Sequence, residues 1–408
     1  YSQLMDLQYS RFPGDPVFKN AHWFWKLEHD PEIKGGVLNN DWRNLDYISL
    51  THEFLKQVRE KGITFIAPAI DYGNEVASWG PLSPNTYLNL DQRLSTNGDW
   101  EKVLKVYDRT DILLHESWQS YNEKFITPEG QVVDPQREIT TSEGQAYALL
   151  RSVVVNDRDS FDLIFHWTQS HLQFRNEDKL FSWKWGKRKD GTVGVIDSAT
   201  ATDADIDIAT VLILAGQKWG ESGYLTLAKP IVQDIWRQEV ANNNDFYILT
   251  AGSWAAYGDE IVVNPSYITP ASFRLFRAID PEHDWLRLYD DSYTLLNRIS
   301  QESDVKLMPD WTAVSKSDQR LIFPSDRRLS RDFSYDAMRV YWRIYQDYLW
   351  FNSPKAKAFL DEQAFLPNYY SRQGKIFTGY SISGRALTTD EDNSFYGALL
   401  PLIKYVNQ

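Results

Sequence analysis

From about residue 108 onward the chain reads as one amphipathic helix after another, and this limits the available folds more than any other feature. Apolar positions recur at helical spacing over 110–125, 142–155, 157–173, 203–219, 223–240, 269–279, 283–300, 335–352, 354–364 and 392–406. Several of these segments are separated by very little. Asn156 and Asp157 stand between two helices, and Gly220-Glu-Ser-Gly223 forms another tight connection. Helices joined so closely pack antiparallel, and repeated hairpins of this kind bury their apolar stripes as a bundle, a solenoid or an α/α barrel. No fixed 33- or 34-residue period runs through the segments, which disfavours ankyrin and tetratricopeptide arrays. Three longer connections, 174–202, 241–268 and 301–334, hold several Trp, Gly and Pro residues, and sites tend to lie in such loops on a helical scaffold.

Residues 1–107 differ. Residues 46–61 have helical spacing that Gly62 can end, and Ile63-Thr-Phe-Ile-Ala-Pro-Ala-Ile70 reads as a buried strand. Residues 71–100, rich in Gly, Pro, Asn and Ser, read as loop. The expected organisation is an N-terminal extension of mixed structure over 1–107, followed by a mainly helical catalytic domain over 108–408. The extension carries no catalytic motif, and its Trp23, Trp25 and Trp42 have no assigned role. No apolar run approaches the ~18 to 20 residues that span a bilayer. The chain begins at Tyr1 rather than Met, which leaves a periplasmic or secreted location as the expectation.

The absence of Cys excludes thiol nucleophiles, zinc–thiolate sites and iron–sulfur clusters. A net charge of −13 argues against a nucleic-acid partner. The 7 His residues include no metal-spaced pair, so neither metal nor cofactor is expected. There is no G-x-S-x-G, no H-E-x-x-H and no phosphate loop. What remains is carboxylates at helix starts. In Thr141-Ser-Glu-Gly-Gln-Ala-Tyr147, Thr141 or Ser142 can cap a helix with Glu143 in its first turn. Taken alone, Glu143 could simply complement the helix dipole. In Ala201-Thr-Asp-Ala-Asp-Ile-Asp207, Asp203 and Asp207 share a face of an otherwise apolar helix, a costly arrangement unless partnered. In Phe333-Ser-Tyr-Asp-Ala-Met-Arg339, Asp336 and Arg339 stand one helical turn apart. Two carboxylates among many Trp and Tyr residues match the needs of glycoside hydrolysis, in which one acid protonates the leaving oxygen and one carboxylate attacks or activates water.

These three motifs, together with Phe181-Ser-Trp-Lys-Trp185, Asn264-Pro-Ser-Tyr267 and Pro309-Asp-Trp311, resemble glycoside hydrolase family 8 from about residue 110 to the end. Within it they look most like the bacterial endoglucanases associated with cellulose synthesis. The resemblance implies an (α/α)6 barrel and an inverting endo-β-1,4-glucanase acting on cellulose or a related exopolysaccharide. It implies Glu143 as general acid, Asp336 as general base, and Asp203 as holder of the sugar at the −1 subsite. Tyr267 and Arg339 would support water and base, Tyr147 would bind substrate, and Trp183 and Trp185 would offer stacking faces. A monomer is expected, with the cellulose-synthesis machinery as a partner. The same fold serves xylan, mixed-linkage glucan and chitosan in this family, and a non-catalytic polysaccharide-binding subunit is the rival from another class. An (α/α)6 barrel has twelve helices, whereas ten are read from 110 to 408.

Overall fold

The computed structural model describes residues 109–406. The expectations for 46–61, 63–70 and 71–100, and the three N-terminal tryptophans, lie outside the described residues. Helix α1 (Arg109–Phe125) belongs, up to Lys124, to a compact unit of residues 1–124, and residues 125–408 form a second.

The second unit is built of helical hairpins. Its helices are α2 (Ser142–Val154), α3 (Arg158–Leu172), α4 (Thr202–Trp219), α5 (Ser222–Glu239), α6 (Pro270–Ile279), α7 (Trp285–Gln301), α8 (Met338–Phe351), α9 (Pro354–Asp361), α10 (Phe365–Gln373) and α11 (Asn393–Val406). Local chemistry sets the ends. Thr141 caps α2 by accepting from the Gly144 N–H at 3.1 Å, and Asp157 caps α3 through Ser160 at 3.0 Å. Gly220 ends α4 in the left-handed region at φ 66°, which lets α5 double back at once. Helix α2 packs on α4, α4 on α6 and α6 on α8, while α3, α5, α7 and α9 each pack on the helix before them. This alternation of inner and outer helices is the (α/α)6 barrel arrangement. Helix α4 shows its inner position in its sequence: Ala204, Ile206, Ile208, Ala209, Leu212 and Ala215 are all fully buried.

All ten expected helices are present, and α10 is one that periodicity missed. Only Glu362–Ala364 separates it from α9, and its Pro367 and paired tyrosines blur the apolar spacing. Helix α8 starts at Met338 rather than 335, so Asp336 stands in the turn just before it.

The long connections hold short antiparallel strands: β1 (Ile139–Thr141), β2 (Lys184–Lys187) and β3 (Val193–Asp197) in one sheet, and β4 (Val240–Asn242) with β5 (Tyr247–Leu249) in another. A third sheet joins β6 (Glu260–Val263), β7 (Thr312–Ser315) and β8 (Leu321–Ile322). Strand β1 leads into α2, β3 into α4, β6 into the turn before α6, and β8 into the turn before α8. The N-termini of the inner helices therefore share one end with the sheets, and the candidate residues gather there.

Candidate active site

Glu143 lies in the first turn of α2, where free backbone N–H groups favour an anion. The surroundings overrule that preference. Burial pushes its carboxyl up to about 7, the Asp203 carboxylate adds to the rise, and a backbone hydrogen bond and the Arg339 guanidinium oppose it. The result is a group that keeps its proton to higher pH than an ordinary carboxyl.

Asp203, in the first turn of α4, keeps 1% of its side chain exposed and meets Arg339 of α8, whose Nη1 donates to Oδ2 at 2.6 Å. The other arm of the guanidinium, Nη2, donates to Asp336 Oδ1 at 2.5 Å. Arg339 Nη1 also reaches the Tyr147 hydroxyl at 3.3 Å, and the guanidinium lies 5.4 Å from the centre of the Tyr267 ring. One arginine thus joins both carboxylates and both tyrosines. A helical turn further on, Arg343 repeats the pattern. It is fully buried and donates twice to Asp207, at 2.7 and 2.8 Å, and once to Thr269 Oγ1 at 2.8 Å. The like charges at Asp203 and Asp207 are therefore answered by like charges at Arg339 and Arg343. Burial raises the Asp203 carboxyl, and Arg339 and Arg343 pull it back down.

Asp336 differs in keeping 29% of its side chain exposed, so water can reach it. Its turn is pinned by Asp310, which accepts from the Ser334 N–H at 2.9 Å, the Ser334 hydroxyl at 2.7 Å and the Ala337 N–H at 2.8 Å. Burial lifts Asp310 to about 6 against those hydrogen bonds. Tyr267 ends the short helical turn Pro265–Tyr267, and burial holds its phenol well above the usual range, so it remains a donor. Its ring stands edge-on to Trp311 with centroids 6.0 Å apart.

Trp183 adjoins the start of α2 through the main chain: its carbonyl accepts from the N–H of Ser142, the residue before Glu143, at 3.0 Å. Its ring is half-buried, with the Lys184 ammonium 5.1 Å from its centre. Trp185 is seated differently, edge-on to Trp167 and His171 of α3 at 5.8 and 5.0 Å. The structure therefore brings Glu143, Asp203, Asp336, Arg339, Tyr147 and Tyr267 together, sets Trp183 beside them, and packs Trp185 on an outer helix. Asp310 and Trp254 are additions that the sequence reading left unassigned. Trp254 is 42% exposed, and its indole N–H donates to the Thr200 carbonyl at 3.2 Å. Gly252 leaves it room, because a Cβ there would stand 2.5 Å from the same carbonyl and closer still to the indole. The signal was the Gly-Ser-Trp that follows an apolar strand. At Gly144 a Cβ would meet Thr141 Oγ1 at an ordinary 3.4 Å.

A buried carboxyl with a raised affinity for its proton, beside arginine-tethered carboxylates at the sheet end of the helical hairpins, is an arrangement suited to acid–base chemistry of the two-carboxylate class. The family model described as glycosyl hydrolases family 8 matches residues 103–400, and the chain belongs to that family. Endoglucanase A of Acetivibrio thermocellus is 30% identical over 298 residues, which are 70% of this chain and 59% of that protein. An endoglucanase of Escherichia coli K12 is 31% identical over 230 residues, 55% of this chain and 60% of the relative. The match thus spans about three fifths of the length of these curated relatives. The crystal structure of an endo-1,4-D-glucanase from Vibrio fischeri ES114 superposes with a TM-score of 0.62 at 28% identity, over 71% of this chain and 83% of that one.

Proposed function

We propose that the chain is an inverting endo-β-1,4-glucanase that acts on cellulose or a related exopolysaccharide. The observation that carries this reading is the contrast between two carboxyls: Glu143 is buried and held up to about 7, while Asp336 is solvent-reachable and tied to Arg339. Glu143 gives its proton to the glycosidic oxygen as the bond to the anomeric carbon breaks. Water attacks that carbon from the opposite face, and Asp336 takes the proton that the water loses. Solvent then restores Glu143 and discharges Asp336. Inversion needs the two carboxyls roughly 6.5–9.5 Å apart, with room for the water between them. Asp203, fixed by Arg339, holds the ring of the sugar being cleaved, while Tyr147 and Tyr267 donate from above Arg339. Trp183 and Trp254 offer apolar ring faces to neighbouring sugars.

The endoglucanase names of the curated relatives favour β-1,4-glucan over xylan or chitosan. A polymeric substrate favours a periplasmic or secreted location. Action as a monomer, with association with a cellulose-synthesis complex, is the partner reading that goes with this function. The test is a panel of carboxymethylcellulose, mixed-linkage glucan, xylan and chitosan, with proton NMR of the first products. Release of α-anomeric reducing ends from the glucans, abolished by Glu143→Gln, is the expected result. Early β-anomers would refute inversion. Cleavage of xylan or chitosan in preference would move the substrate assignment, and no release by a folded sample would favour the non-catalytic binding subunit.

A further inference from the structure

Behind the cleft wall lies a second pair of carboxyls that the chemistry above does not use. Asp205 of α4 and Glu239, the last residue of α5, are both fully buried. Asp205 Oδ1 accepts from the Phe181 N–H at 2.8 Å, and Glu239 Oε1 accepts from the Thr200 hydroxyl at 2.6 Å. Asp205 Oδ2 receives no donor, and the Glu239 carboxyl, which the Thr202 hydroxyl also approaches, lies within hydrogen-bonding reach of Asp205. Two touching carboxyls in a dry site need a proton between them.

Among the described residues no Lys or Arg makes an ion pair with either carboxyl. The charged groups that face it are Asp178, in the connection after α3, and Arg175 behind it. Arg175 is committed elsewhere, with Nε and Nη2 each 2.8 Å from Asp178 and Nη1 on the Ser198 carbonyl. The hydroxyls of Thr200 and Thr202 favour the anion on Glu239, which leaves the proton on Asp205.

Three segments of the cleft wall converge on this pair. Phe181 leads into Trp183. Thr200 leads into Asp203, and its hydroxyl oxygen accepts from the Ser253 N–H at 2.8 Å while its carbonyl holds the Trp254 indole. Asp205 itself stands two residues from Asp203. We propose that Asp205 and Glu239 share one proton and act as positioning residues, an acid–carboxylate latch that ties the segments bearing Trp183, Asp203 and Trp254 into one wall and so sets how firmly the cleft grips a sugar chain. The inference rests on the glucanase reading of that cleft. Burial, with the neighbouring carboxylate next, holds Asp205 well above the ordinary range, and burial lifts Glu239 to about 7. The folded chain therefore keeps a proton that the unfolded chain has already released, and the latch weakens as pH rises.

The test uses the Glu143→Gln protein, in which the general acid no longer titrates, and follows its affinity for cellotetraose by calorimetry. Affinity is expected to fall about tenfold from about pH 6 to about pH 9, and to stay within about twofold when Asp205→Asn is added, because Asn cannot ionise. A flat profile in the Glu143→Gln protein, or an equal fall in both, overturns the proposal. Should Asp205→Asn not fold, Glu239→Gln takes its place. Hydrogen exchange at the Phe181 amide of the unmodified chain gives an independent reading, expected to lose protection over the same range; unchanged protection also overturns the proposal. Failure to bind cellotetraose at about pH 6 would sink the glucanase reading instead, and the Phe181 amide would still decide the latch.

Discussion

Replacing Asp203 by Asn should move the alkaline limb of the activity profile to lower pH. The change keeps the shape of a side chain that is 1% exposed and removes one charge. Glu143 is raised from 4.5 to about 7, a difference of about 3 kcal/mol in favour of its protonated form. Burial is the largest cause of that rise and Asp203 the second. Two charges about 5 Å apart at an effective dielectric of about 20 interact by about 3 kcal/mol, and this is an upper bound. Arg339, 2.6 Å from the same Asp203 oxygen, cancels part of it. About 1 to 1.5 kcal/mol then remains for Asp203, or about one pH unit. Once Asp203 is neutral, Arg339 also acts on Glu143 with less opposition, so both changes have the same sign. The limb should move from about pH 7 to about pH 6. The assay is the initial rate of reducing-sugar release from a soluble β-glucan across pH, normalised to each protein's maximum because Asp203→Asn also lowers turnover. A limb that stays at pH 7 or moves higher would refute the assignment of Glu143 as an acid raised by Asp203.

Glu143→Gln should stabilise the protein at alkaline pH. The folded carboxyl titrates at about 7 and its ordinary value is 4.5, so stability is lost as pH rises between them. A glutamine lacks this loss, worth on the order of 2–3 kcal/mol at pH 8 and almost nothing at pH 4; calorimetric melting at both should show it, and equal gains at both would count against it. Asp310→Ala strips the Ser334 and Ala337 N–H groups of their acceptor and should cost about 3 kcal/mol, with a loss of turnover as the Asp336 turn loosens. Asp310→Asn, which retains one acceptor oxygen, should cost about 1 kcal/mol. Gly144→Ala should be tolerated and add about 0.5 kcal/mol of helix stability, whereas Gly252→Ala forces Trp254 off the Thr200 carbonyl and should shift tryptophan emission to the red.

Helices were legible because their signal repeats over three or four turns, as in α4, where a run of Ile, Ala and Leu announces a buried inner helix. The strands β1, β4 and β5 are three residues each, too short for alternation to register, so the loops that contain them read as irregular. The catalytic candidates were legible as motifs, but their partnerships were not. Asp203 and Arg339 are 136 residues apart, as are Asp207 and Arg343, and nothing local says that two aspartates one turn apart will meet two arginines one turn apart. Asp310 was visible only as part of Pro309-Asp-Trp311. Its work is on a turn 24 residues downstream, and that turn also delays the start of α8. Trp185 sits in the same five-residue motif as Trp183, yet a register shift between Lys184 and Trp185 goes with their different seating.

The dipole reading of Glu143 shows how the charges divide the labour. A carboxylate in the first turn of a capped helix should be more acidic than usual, and here it is less so. Three carboxyls, Glu143, Asp203 and Asp336, lie near one guanidinium, whose two terminal nitrogens face Asp203 and Asp336. Both are taken, by Asp203 at 2.6 Å and by Asp336 at 2.5 Å. The third carboxyl is left with burial and a neighbouring negative charge, and it relieves both by keeping its proton. On the proposed mechanism, the acid is thus the carboxyl that neither terminal nitrogen of Arg339 holds. The proposed base is the more exposed of the two that Arg339 does hold, Asp336 at 29% against Asp203 at 1%. The partition of roles follows from one cation placed between α4 and α8, and the Asp207–Arg343 pair a turn deeper keeps those two helices in the register that puts it there.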